Sequence, residues 1–123
     1  MLFKTSTDGV SWTDPTTVRA AIYGWRFSVF FDGTYVHYCY SVETANNPIL
    51  YRMGTPNSDG TITWKAVEQT AVAARARARA ASGITYWYPQ ITVDSGGYPW
   101  IGYYREGSGS DKTPYVNKST TKD

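Results

Sequence analysis

The sequence predicts an all-β protein, and three observations carry the prediction. Aromatic residues make up 16% of the 123 positions, with 11 Tyr and 5 Trp, and charged residues only 18%. Such side chains suit pleated, half-buried surfaces rather than helical bundles, and their apolar area is incompatible with disorder. Short runs also alternate apolar and polar residues with period two, the signature of strands with one buried face. Finally, Asp-Gly and related Gly turns separate those runs, as hairpins require.

Taken in chain order, residues 2–5 read as a strand, followed by the turn Ser6-Thr7-Asp8-Gly9-Val10-Ser11-Trp12, in which Gly takes the positive φ and Asp accepts backbone N–H bonds. Residues 24–32 form the next strand, with Phe27, Val29 and Phe31 on one face that is expected to be buried. The turn Asp32-Gly33-Thr34 leads into an aromatic strand over 35–40, and a polar loop over 41–47 into a third, Pro48-Ile49-Leu50-Tyr51-Arg52. A second turn, Ser58-Asp59-Gly60-Thr61-Ile62-Thr63-Trp64, opens the outer strand. The whole pattern then returns. Residues 86–94 align with 24–32 through Trp87 and Asp94, residues 98–104 give the second strand, and Pro114-Tyr115-Val116-Asn117-Lys118 the third. Both Trp12 and Trp64 are expected at equivalent buried positions behind their turns.

The copies differ in one place. Trp12 to Trp25 spans 13 positions and Trp64 to Trp87 spans 23. The added length coincides with an Ala/Arg tract over 71–80. As a helix it would place Arg75 and Arg79 together, and as a strand it would align all three arginines, Arg77 included. A solvated connection is expected, dispensable for folding, with an anionic contact through the guanidiniums as the alternative. The chain therefore divides into 1–18, half a repeat; 19–67, a full repeat; 68–83, the Ala/Arg insertion; and 84–123, an incomplete repeat.

The hydroxyl-bearing Asp-Gly turn followed by Trp resembles the Asp-box of sialidase-like (BNR-repeat) β-propellers. The family form places a residue between Asp and Gly, whereas Asp8-Gly9 and Asp59-Gly60 are adjacent, a relaxed form that also occurs in non-enzymatic repeat proteins. The resemblance implies antiparallel four-stranded blades, about two per chain, joined at Asp8, Gly9, Trp12, Asp59, Gly60 and Trp64. It further implies six blades in a closed ring, reached here by a homo-oligomer, most simply a trimer with strand exchange, and an extracellular location. In propellers the head of the inner strand and the exit of the second carry the ligand face. That places Trp25, Arg26, Tyr86, Trp87, Tyr88, Tyr104, Arg105 and Glu106 as candidate ligand-binding residues. Aromatic faces beside Arg and Glu suit sugars, while packing between repeats is the alternative for Trp25 and Trp87.

No catalytic constellation is read. The family's Arg-Ile-Pro motif is absent, Tyr40 and Glu43 are the nearest Tyr/Glu pair, and Arg26, Arg52 and Arg105 are the arginines that would have to converge on a carboxylate. Among the ten acidic residues, Asp8, Asp32, Asp59 and Asp94 have turn roles. The expected function is a non-catalytic binding or scaffold module, with a hydrolase fragment and a purely structural self-assembling unit as alternatives. Neither cofactor nor metal is expected, because Cys39 and His37 are single. His37 is expected to be packed and hydrogen-bonded. A net charge of +2 lacks the basic field that nucleic acid requires, and no run is apolar enough for a membrane or a signal peptide. Asn117-Lys118-Ser119 fits the N-glycosylation pattern.

Overall fold

The computed structural model describes residues 1–19, 26–42, 48–73, 85–106 and 112–122, and among them the chain is all-β with no helix. Ten strands form, every pairing antiparallel: β1 (Leu2–Phe3), β2 (Thr16–Thr17), β3 (Phe27–Phe31), β4 (Val36–Ser41), β5 (Ile49–Pro56), β6 (Ile62–Trp64), β7 (Gln69–Val72), β8 (Thr85–Val93), β9 (Pro99–Glu106) and β10 (Lys112–Lys118). They make three open sheets: the ribbon β1–β2, a meander β3–β4–β5–β6 with β7 also on β5, and a meander β8–β9–β10.

β7 lies within the segment 68–83 that was expected to be an insertion. Both β6 and β7 run antiparallel to β5, β6 opposite its C-terminal part and β7 opposite its N-terminal part, so together they are one outer strand broken at 65–68. Arg52 fills the break, its Nε donating to Lys65 O at 2.5 Å. Glu68 fixes its far side by accepting the hydroxyls of Tyr38 and Tyr40 at 2.7 and 2.9 Å. Residues 71 and 72, expected as the start of a solvated connection, lie in β7 instead. Val72 is 7% exposed and belongs to the core, since polar flanks and an alanine-rich continuation hid a four-residue strand. Residues 74–80, including Arg75, Arg77 and Arg79, lie outside the described residues.

The two meanders pack face to face. Cys39, Ile49, Tyr51, Met53 and Val72 meet Tyr86, Ile91, Ile101 and Tyr103, with Phe30 and Ala71 at the margin, and Ile91 N donates to Ser28 Oγ. This corrects the expectation for β3. Ser28 and Phe30 share a face with Cys39 and His37, their cross-strand partners, so it is Val29 and Phe31 that point away, 50% and 56% exposed. Apolar alternation marked the wrong face because the strand's buried side carries a serine.

On that opposite face Tyr38 and Tyr40 are nonetheless buried, 0% and 2% exposed. Trp64 stands edge-on to Tyr38 with ring centroids 5.0 Å apart, and the ribbon reaches the same side, with the Arg19 guanidinium 5.8 Å from the Tyr40 ring centre. Thr5 lies against Gly60, and the Met1 amino group donates to Arg19 O. Trp12 does not match Trp64. It is 59% exposed, because β1 pairs only with β2 among the described residues and no sheet lies behind it, whereas Trp64 is half-buried on β5. A Cβ on Gly54 would lie 2.6 Å from both Ile62 and Trp64, so the close seat of Trp64 depends on that glycine.

Burial also perturbs the hydroxyl and thiol groups. Desolvation first, then the Glu68 carboxylate, push Tyr40 up to about 12 and Tyr38 further, while desolvation raises Cys39 to about 12. Folded-state values above the ordinary 9.0 for Cys and 10.0 for Tyr mean that the stability these groups add is complete below about pH 9 and is lost as pH rises toward 12. Ultraviolet titration should therefore show two phenols ionising only as the fold is lost. Their titration at ordinary pH in a protein that keeps its β signal would contradict the burial.

Candidate functional site

The local cause of the site is an extra residue in β8. Opposite β9, Trp87 pairs with Tyr104 and Gln90 with Gly102, which leaves a bulge at Tyr88 and Pro89. Tyr88 takes φ 51°, the left-handed region that side chains other than glycine avoid, and no other non-glycine residue among the described ones does so. The bulge has two effects. It brings Tyr86 and Ile91 onto the same core-facing side despite their odd spacing, and it turns the Tyr88 ring outward, 54% exposed.

Four of the candidate residues come together there. Trp87, Tyr88, Tyr104 and Glu106 line an open cleft of about 340 Å³. Tyr88 stands at 82° to Tyr104 and at 36° to Trp87, with centroids 6.4 Å apart in both pairs. Arg26, 5% exposed, lays its guanidinium 4.1 Å from the Trp87 ring centre and fixes the rear of the cleft. The Trp87 indole N–H is buried with no acceptor among the described residues. Trp25 lies outside the described residues. Tyr86 and Arg105 leave the set: they pair with each other on the opposite face of the sheet from Trp87 and Tyr104. Strand alternation separates neighbours in sequence that the list of candidates had joined.

The turn carboxylates serve the backbone. Asp8 Oδ1 accepts from Val10 N and Ser11 N, both at 2.8 Å, and Gly9 takes φ 73°. Those N–H groups and the Ser6 hydroxyl hold Asp8 well below the usual carboxylate range. Asp59 accepts from Thr61 N at 2.9 Å and Gly60 takes φ 83°. Asp32 accepts from Thr34 N and Tyr35 N. Asp94 accepts from Gly96 N and Tyr98 N, and also from the Trp100 indole and Lys118, which tie the second meander together.

His37 is packed between partners, Nδ1 2.9 Å from Tyr51 Oη and Nε2 3.0 Å from Asp32 Oδ2. Tyr40 bonds Glu68, and Glu43 lies outside the described residues. A phenol pushed up to about 12 is a poor nucleophile. The three arginines have separate partners: Trp87 for Arg26, the Lys65 carbonyl for Arg52 and Tyr115 for Arg105. No group of three potential metal-ligating side chains occurs among the described residues, nor any helix long and apolar enough to cross a membrane. Asn117 accepts a hydrogen bond from the Tyr103 hydroxyl at 3.3 Å.

Sequence reasoning missed Glu68. The Tyr-x-Tyr spacing of Tyr38 and Tyr40 was the available signal, because two neighbouring phenols on one face need an acceptor when buried. No protein-family profile, curated protein or solved structure matches the chain.

Proposed function

We propose that this chain is a non-catalytic glycan-binding module whose stacked antiparallel sheets are propeller-type blades, the ribbon, the first meander and the second meander being successive units. The observation that supports binding is the left-handed Tyr88, because a non-glycine residue at φ 51° costs about 1–2 kcal/mol and here the conformation presents an aromatic ring to solvent. A pyranose C–H face stacks on Tyr88 and Trp87, and the Glu106 carboxylate takes hydroxyl donors at the rim. Arg26 keeps the indole in place.

The support for blades is the order and stacking of the sheets together with the Asp-box-like turns. A propeller also accounts for the exposed Val29 and Phe31, which become covered when the sheet beside them is completed by a second copy. A glycan array on the purified protein is expected to show retention of a restricted set of pyranose structures, with Kd near ~1 mM in solution, worth about −4 kcal/mol. Uniform absence of retention at millimolar ligand overturns the reading.

A further inference from the structure

The opposite face of β9 carries a second cavity with a different chemistry. Tyr86, Tyr103, Arg105, Tyr115 and Asn117 line about 290 Å³ between the end of β7 and the second meander, with Ala71, Val72 and Ala73 as the far wall. Tyr103 and Tyr115 are cross-strand partners whose rings stack, 14° from parallel with centroids 5.8 Å apart. Tyr86 stands edge-on to Tyr103, at 89° and 5.4 Å.

Arg105 closes one side. Its Nη1 donates to the Tyr115 hydroxyl at 3.0 Å, which orients the guanidinium beside the stacked pair, and it forms no ion pair with a carboxylate among the described residues. A guanidinium has about five N–H donors in a planar fork suited to a carboxylate. The other phenols are directed elsewhere, Tyr86 toward Ala73 O and Tyr103 toward Asn117.

We infer that this cavity binds a small aromatic carboxylate, the ring against the stacked Tyr103–Tyr115 pair and the carboxylate on Arg105. At about 290 Å³ the cavity lies at the lower end of the range of ligand pockets, about 300 to 1,000 Å³, which suits a single ring. The site is separate from the glycan cleft and does not depend on it. Benzoate is the probe, followed by saturation-transfer NMR and by amide shift changes on the labelled protein. Benzoate should shift amides of β9 and β10, bind at least about tenfold more weakly to Arg105→Gln, and outcompete benzamide by a similar factor, as a charge-assisted pair implies. Tyr88→Gly should leave benzoate binding unchanged. Equal affinity of Arg105→Gln, equal affinity for benzamide, or no benzoate shifts in folded protein would each overturn the proposal. Arg105 is a surface-edge cation, so the variant is expected to melt with the parent.

Discussion

Deletion of residues 71–80 is expected to abolish the soluble, folded protein. The segment looks like excess length between two repeats, yet its first residues complete the outer strand: Ile49 pairs with Val72, and Ala71 packs against the core cluster. Removing them takes an apolar side chain from the centre of the contact between meanders and opens one edge of β5. Val72→Asp isolates the same effect without shortening the chain. A carboxylate without a partner at a position 7% exposed should destabilise by about 4 kcal/mol or more, a large share of a small domain's stability. Chemical denaturation of the point variant and expression of the deletion check the pair. A deletion variant that folds with the parent's midpoint would return β7 to the status of a loop.

The second large effect is on particle size. β10 pairs only with β9 among the described residues, β1 only with β2, and Val29 and Phe31 leave an apolar strip on the face that the ribbon half covers. Open edges carry unpaired N–H and C=O groups that recruit strands; pairing β10 of one copy with the ribbon of the next would satisfy both edges, and the contact between copies would cover the strip. Closed cyclic assembly is the usual way to do so, and on the proposed propeller reading, with the ribbon of one copy completing the second meander of the next, a trimer would bring the blades to six. Light scattering at micromolar concentration is therefore expected to give three times the 13.8 kDa of the chain. Phe31→Lys or removal of residues 1–15 should return it to monomer. A parent protein that is monomeric at those concentrations and retains its β signal contradicts the ring.

The fold class and hairpins were legible because their signals are local. Asp-Gly turns, Pro-led third strands and aromatic alternation placed β3, β4, β5, β8, β9 and β10 in order. Facing was not legible. On β3 the apolar set is on the exposed side, since Ser28 is tolerated in the interface by accepting the Ile91 N–H from the other meander. β7 was missed because four residues with polar flanks carry almost no periodic signal, and its support comes from Tyr38 and Tyr40, about thirty positions away. The site was half legible. Trp87, Tyr88, Tyr104 and Glu106 converge, but the separation of Tyr86 and Arg105 from them follows from the pleat, and the exposure of Tyr88 from a bulge whose one signal in the sequence is Pro89.

Tyr88→Gly tests the central claim most directly, because it separates binding from folding at one position. Glycine takes φ 51° without strain, a gain of about 1 kcal/mol, which offsets the lost ring contacts with Trp87 and Tyr104 at about 0.5–1.5 kcal/mol each. The measurement is calorimetric titration of parent and variant with a glycan retained on the array, alongside thermal melts and light scattering of both. The variant should melt within a few degrees of the parent, keep the parent's particle mass and bind the glycan at least about tenfold more weakly. Undiminished binding by the variant would contradict the account, and so would a loss of particle mass, which would make Tyr88 an assembly contact instead of a ligand platform.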